Sequence, residues 1–273
     1  MKKSKIAKVL LIVLVVLIIT ACNLPFGIGS KDSNDQGSDV AEVSEETEEA
    51  ISLSNLSDEP DPNPVALQEG LGSFDTYQLN IFLKYSSSDG SFTEVNEFTE
   101  RSVIDNNTHS ILTNVSYDPK EDSEPNNSTT ETYIVGNVTC NGEPDDWEYS
   151  EMTSQEKELM DILKGMVDFV PIMDNPVFVG EENVNGIDCN HFNFTVSGIG
   201  DTSGSVATIN SGDYWLAKDG QYIVKYHLLL EVQSAADGST EAETTSIEAS
   251  IDLNSVNLPL TFTLPANCQP ETE

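Results

Sequence analysis

Apolar and polar residues alternate with a period of two over much of the chain beyond residue 65. Tyr77, Leu79, Ile81, Leu83 and Tyr85 form the first such series. Two later series have the same period and comprise Tyr222, Val224, Tyr226, Leu228, Leu230 and Val232, then Ile247, Ala249, Ile251 and Leu253. This pattern predicts strands that each bury one face. Asp-Gly and Asn-Gly pairs between such segments are typical of tight hairpins, so we predict a meandering antiparallel sheet.

One segment has helical spacing instead. Between Thr153 and Val170, apolar residues recur every three or four positions, and Thr153 to Glu156 has the form of a capping box. Pro171 then ends the pattern. A single amphipathic helix in an antiparallel sheet has only the sheet on which to bury its apolar stripe. We therefore predict a mainly β (α+β) fold, with a curved antiparallel sheet and one amphipathic helix on its concave face.

The N-terminus has the layout of an export signal. Four lysines precede an uninterrupted apolar run from Val9 to Ile19. A membrane span needs about 20 apolar residues, whereas the apolar core of a signal peptide needs only about 7–15. The run ends at Ile19-Thr20-Ala21-Cys22, which resembles a bacterial lipobox. We predict a signal peptide over 1–21 and lipid attachment at Cys22; an ordinary secretory signal or an uncleaved anchor helix are the alternatives, and all three place the chain outside the cytoplasm.

The mature chain is strongly acidic. Removing residues 1–21 removes four basic and no acidic residues, which leaves eight basic against 47 acidic residues and a formal net charge of −39. Such a charge repels nucleic acid and anionic headgroups. Residues 22–64 are rich in Gly, Ser, Asp and Glu and cannot bury enough apolar surface to offset the entropy of ordering. We interpret 22–64 as an acidic tether and 65–273 as the single folded domain.

The residues that commonly carry chemistry are sparse and isolated. His109, His191 and His227 belong to no metal or nucleophile motif, so we expect no enzyme activity, no cofactor and no metal site. Three cysteines remain after lipidation; we expect a Cys140–Cys268 disulfide and a buried Cys189, an arrangement that the oxidising compartment permits. An enzyme remains an alternative, although no activity can be named for it.

Four segments in order resemble a known group of lipoproteins. They read LGSFDTYQLNIFLKY from residue 71, TYIVGNVTCNGEPDDW from 132, VNGIDCNHFNF from 184 and GDYWLAKDGQYIVK from 212. The set resembles the LolA/LolB and LppX/LprG-type superfamily over nearly the whole domain. The resemblance implies a half-open β-barrel of about ten or eleven strands that binds acyl chains in a hydrophobic cavity. Only residues 65–70 are available to form the family's helical cover before the first strand, and the lipobox does not fit a freely diffusing carrier.

From the strand patterns, the helix and the resemblance together, we expect the cavity lining to include Leu79, Ile81, Leu83, Phe194, Trp215, Val224, Tyr226, Ile162 and Met166. The expected partners are a lipid or other amphipathic small molecule, the membrane through the lipid anchor, and an envelope protein, with no nucleic acid. The leading hypothesis is a membrane-anchored extracytoplasmic lipoprotein that binds a lipid, with a role in lipid or lipoprotein transport. The alternative is a structural or interaction module of the cell envelope with a filled core.

Overall fold

The computed structural model describes residues 59–143, 146–153, 171–197, 206–233 and 242–270. These belong to one compact unit, Glu59–Glu273. The predicted signal peptide, Cys22 and most of the predicted tether lie outside the described residues, as does most of the helix predicted between Thr153 and Val170.

The described residues form one short helix and eleven strands. The helix α1 spans Leu67–Gly72. The strands are β1 Thr76–Ser87, β2 Phe92–Ser102, β3 Asn107–Tyr117, β4 Asn126–Val135, β5 Val138–Glu143, β6 Asp146–Glu151, β7 Asp174–Val184, β8 Ile187–Thr195, β9 Val206–Ala217, β10 Ile223–Gln233 and β11 Thr244–Asn254. All of them join one open antiparallel sheet in the order β6-β5-β4-β3-β2-β1-β11-β10-β9-β8-β7. The predicted mainly β, half-barrel type of fold is confirmed.

Two meanders build this sheet. Strands β1 to β6 pair with their neighbours along the chain, and so do β7 to β11. The meanders meet where β1 pairs with β11, with Leu79 opposite Leu253 and Ile81 opposite Ile251. Because directly opposed residues in an antiparallel pair point to the same face, this register aligns the apolar series of the two strands. Because β1 and β11 lie far apart in the sequence, this pairing joins the two meanders through long-range contacts.

The sheet therefore has two distinct faces. We call the face that carries Tyr77, Leu79, Leu253 and Tyr226 the core face, and the opposite one the outer face. The main hydrophobic cluster lies on the core face and comprises Leu67, Leu71, Phe74, Tyr77, Leu79, Phe192, Phe194, Val196, Tyr214, Leu216, Ile223, Tyr226, Ile251 and Leu253. Most of these residues come from β1 and from β8 to β11. Burial is thus concentrated in one half of the core face.

Helix α1 covers the end of the core face where β1 begins. Leu67 and Leu71 enter the main cluster, and the Phe74 ring that follows packs edge-on against Tyr222 with centroids 4.8 Å apart. A Cβ atom at Gly70 would lie 2.6 Å from the Tyr222 Cβ atom, so the helix can approach the sheet only with glycine there. A six-residue helix thus packs on the sheet before β1, close to the residues 65–70 that the sequence left available there.

The outer face carries two histidine clusters of the same construction. In the first, His109 contacts Glu100 through Nδ1 at 3.0 Å and Glu131 through Nε2 at 2.7 Å, and its ring stacks on Tyr133 with centroids 4.2 Å apart. The tyrosine hydroxyl in turn donates to Glu131 at 2.7 Å. These contacts link β2, β3 and β4 across the outer face.

The second cluster links β7, β8 and β9 in the same way. His191 contacts Glu182 through Nδ1 and Asp213 through Nε2, each at 2.9 Å, and stacks on Trp215 with centroids 4.3 Å apart. In both clusters the acids lie nine residues before and 22 residues after the histidine. We interpret the clusters as structural links between strands.

The C-terminal segment returns to the first meander. Beyond β11, Asn257 donates its backbone N–H to Thr76, and the Thr76 hydroxyl donates to the Leu258 carbonyl. Cys268 then forms a disulfide with Cys140 on β5, with a Cα–Cα distance of 6.1 Å. Cys140 lies opposite Tyr133, so its side chain is on the outer face. Ten residues can span the four strand spacings between β1 and β5, about 19 Å. The disulfide therefore ties the C-terminal segment to the far half of the sheet.

Candidate functional site

The apolar stripe of the core face extends beyond the main cluster. Leu79 and Leu253 are buried, whereas Leu83, further along β1, is half-buried, and Tyr85 is 46% exposed. Residues opposite this part of β1 are also apolar and only half-buried: Val95 on β2, and Ala249 and Ile247 on β11. Leu112 on β3 is 43% exposed on the same face. The stripe thus passes from a packed end to an end that the described residues leave partly open.

The core face changes character across β2 to β4. Strand alternation places hydroxyl and amide side chains there, namely Thr99 on β2, Thr108, Ser110 and Asn114 on β3, and Thr130 and Thr132 on β4. Arg101 lies on this face at the end of β2, opposite Tyr77 and Thr108. Apolar strands β8 to β11 and polar strands β2 to β4 therefore meet at β1. An amphipathic surface is the result.

The predicted cavity residues fall into three groups. Leu79, Phe194 and Tyr226 lie in the main cluster and Ile81 packs against it, whereas Leu83 lies further along the same face. The structure brings these five together on the core face. Two other predicted residues, Ile162 and Met166, lie outside the described residues.

Trp215 and Val224 lie elsewhere, and their assignment to the same surface is corrected. Val224 is buried in a second cluster with Cys189 and Ala217, and Trp215 packs against that cluster. A register irregularity between Ile223 and Lys225 on β10 breaks the alternation that the sequence pattern assumed. Trp215 opposes His191, which places its ring on the outer face. Where a strand contains a bulge, an assignment based on a strict period of two places the residues on one side of the bulge on the wrong face of the sheet.

Two tyrosine hydroxyls of the core serve the fold. Tyr214 donates to the Pro62 carbonyl at 2.7 Å, and Tyr226 donates to the Ile172 carbonyl at 3.3 Å. Burial raises the pKa of both tyrosines, so both stay neutral donors across the physiological range. Pro62 belongs to the predicted tether, whose last residues thus contact the domain. These hydrogen bonds hold connecting segments against the sheet.

Among the described residues, the cysteine and histidine side chains do not converge on the core face. Cys189 is a free, buried thiol of the second cluster, and burial is the main cause that raises its pKa to about 11, which suppresses the nucleophilic thiolate. His109, His191 and His227 lie on the outer face with their carboxylate neighbours. Within the described ranges, no group of three His, Cys, Asp or Glu side chains is arranged to hold a metal ion.

The sequence interpretation missed Arg101. A signal was present, because Arg101 is the only arginine among 273 residues and it occupies a core-face position of a strand. A single basic residue in an acidic chain is most simply interpreted as a solvated surface residue. Only the register with Tyr77 reveals where the guanidinium lies.

The domain is thus a mainly β protein with an open, half-barrel type of sheet. No protein-family model and no curated sequence matches the chain. Among the parts of the chain that the structure describes, no helix is long and apolar enough to cross a membrane.

Solved structures to which the chain is similar include a lipoprotein, a LolA superfamily protein and a two-protein complex. The Mycobacterium tuberculosis lipoprotein LppX is 14% identical, with 72% of this chain and 94% of that chain covered and a TM-score of 0.30. A LolA superfamily protein from Nitrosomonas europaea is 11% identical, with 72% and 92% covered and a TM-score of 0.22. The Pseudomonas aeruginosa MucA/MucB complex matches at 14% identity, 76% and 62% coverage and a TM-score of 0.27.

Proposed function

We propose that the protein is an extracytoplasmic lipoprotein that binds a lipid or another amphipathic molecule on the core face of its sheet, without covalent chemistry. The observation that carries the proposal is the apolar stripe, which runs from the fully buried Leu253 to the half-buried Leu83 and the 46% exposed Tyr85. An acyl chain on the open end of this stripe would remove apolar surface from water, at about 25 cal/mol per Å² buried. Polar strands beside the stripe would face the other end of such a molecule.

Membrane attachment is the second part of the proposal. It rests on the lipobox-like Ile19-Thr20-Ala21-Cys22 and on the short apolar run before it. Two acyl chains on Cys22 would suffice for stable anchoring, whereas one would not. Mass spectrometry of the mature N-terminus should find an acylated Cys22, and Cys22→Ser should move the protein from the membrane fraction to the soluble fraction. A mature chain that begins elsewhere would refute this part.

Lipid that copurifies with the protein tests the binding site. The full chain with Cys22→Ser would be exported in its own host, purified without detergent and extracted for mass spectrometry. We expect a bound lipid in the parent protein and substantially less in Leu83→Gln, because this change adds a polar amide to the stripe. Leu229→Gln is the matched control, because Leu229 is also half-buried but lies on the outer face opposite Glu248.

The outcomes separate the two candidate functions. Equal lipid content in the Leu83→Gln and Leu229→Gln variants would show that the lipid does not bind at the core face. Repeated absence of lipid, together with no binding of added lipid, would sink the lipid-binding proposal. The chain would then be better explained as an interaction module of the cell envelope.

A further inference from the structure

Arg101 is unusual in both sequence and position. It is the only arginine in a chain with 47 acidic residues. In β2 it lies opposite Tyr77, and in the β2–β3 pair it lies opposite Thr108. Among the described strands it is the only basic side chain on the core face, since Lys84 and Lys225 lie on the outer face. Among the described strands, the one fixed positive charge on the core face therefore lies beside the main cluster.

The guanidinium has an unsatisfied donor. Its Nε atom is buried and has no hydrogen-bond partner. None of the described carboxylates forms an ion pair with it: Glu97, the next acid on the same face of β2, accepts instead from the Thr99 hydroxyl at 3.3 Å. Arg101 also interacts with the Tyr77 hydroxyl: burial raises the pKa of Tyr77, and the charge and hydrogen bond of the guanidinium partly offset this rise. A buried charged donor without an acceptor is costly, so an anion at this point would be stabilised.

The surroundings also indicate what kind of molecule could supply the anion. On one side of Tyr77 the core face is apolar, with Leu253 and Tyr226 in the main cluster. On the other side it carries the hydroxyls of Thr108 and Ser110, which can donate to oxygen atoms. Arg101 lies at the boundary between the two regions. A molecule with an apolar chain and an oxyanion at one end matches this boundary in both polarity and charge.

We propose that Arg101 binds the oxyanion, a carboxylate or a phosphate, of an acidic lipid whose apolar chain lies along the core-face stripe. The inference rests on the proposed function, because it specifies the polar end of the same ligand. A guanidinium presents parallel N–H donors to two oxygens of such a group. The strongly negative chain would otherwise repel an acidic lipid, so this one cation would determine which end of the ligand lies near β2.

A matched pair of probes tests the charge preference without any mutation. The full chain with Cys22→Ser would be titrated with dansylaminoundecanoic acid and with its methyl ester, and binding followed by dansyl fluorescence. We expect the acid to bind about 10–100-fold more tightly, as charge-assisted hydrogen bonds contribute about 1.5–3 kcal/mol. Competition by dodecanoate and by dodecyl phosphate would then distinguish a carboxylate from a phosphate ligand.

Variants of Arg101 assign the preference to its side chain. Arg101→Met should abolish the preference for the acid by weakening the binding of the acid more than that of the ester, and Arg101→Lys should restore part of the preference. Lys84→Met is the matched control, because it removes a positive charge from the outer face, where Lys84 pairs with Glu94 at 3.4 Å. Circular dichroism and the melting temperature would confirm that each variant is folded.

Each outcome decides one of the two proposals. Binding of acid and ester with equal affinity to the parent protein would overturn the role of Arg101 while leaving lipid binding intact. An equal loss of both probes in Arg101→Met would assign Arg101 to the fold and also overturn the inference. If the parent protein binds neither probe, the proposed function fails, and the inference fails with it.

Discussion

The Cys140–Cys268 disulfide offers the most quantitative prediction. It closes a loop with a sequence separation of 128 residues, since it joins β5 to the segment beyond β11. The chain-entropy relation gives about 5 kcal/mol for a loop of this length, and removal of native disulfides typically costs about 2–5 kcal/mol. We therefore expect Cys140→Ser/Cys268→Ser to lower the free energy of unfolding by about 2–5 kcal/mol. The loss arises mainly in the unfolded chain, which gains conformations when the crosslink is absent.

Equilibrium unfolding in urea, followed by tryptophan fluorescence, measures this loss. The m-value should rise, because the uncrosslinked unfolded chain exposes more surface. Each single serine variant should lose about as much stability as the double variant, since either change removes the same bond. A reductant should destabilise the parent protein and leave the double variant unchanged. An unchanged urea midpoint in the double variant, or a peptide map that places Cys189 in a disulfide, would refute the reasoning.

Two further predictions concern close packing and thiol reactivity. A Cβ atom at Gly212 would overlap the Phe194 ring, so Gly212→Ala should lower the free energy of unfolding by about 1–3 kcal/mol. Gly180 has open space around it, so Gly180→Ala is the control and should change this free energy little. If urea unfolding gives the same loss of stability for both variants, Phe194 does not pack against Gly212. The raised pKa of Cys189, about 11 instead of 9.0, should by itself slow alkylation by iodoacetamide at pH 8 about 100-fold, with full labelling only after unfolding. Rapid labelling of Cys189 in the native protein, detected by mass spectrometry, would contradict its burial.

The sequence resemblance and the strand patterns predicted much of this fold, because a half-buried strand has alternating apolar and polar residues in its sequence. The alternation from Tyr77 to Tyr85 predicted β1 and its buried face. The expected pairing of Cys140 with Cys268 and burial of Cys189 match the structure. Both rested on the local setting of each cysteine. The strand series, in contrast, rested on the physical period of the pleat, which is why it located both strand and face.

The residues of the candidate site were harder to predict from the sequence than the strands. Every second residue from Tyr222 to Val232 is apolar, yet Val224 and Tyr226 belong to different clusters because β10 is irregular between Ile223 and Lys225. A bulge changes the face of a residue without changing the pattern of residue types. The two histidine clusters were also hidden, since each depends on side chains from three strands.

The period of the strands, the acidic balance and the export-signal layout are all predictable from the chain, because each is a property of residues close together in it. Which strands are neighbours is not predictable in this way, because it depends on pairing between distant segments. The pairing of β1 with β11 and the register of β2 against β1 bring Arg101 opposite Tyr77, at the boundary of the apolar stripe. Such a position depends on hydrogen bonds between strands, and a one-residue shift of register would move Arg101 to the other face of the sheet.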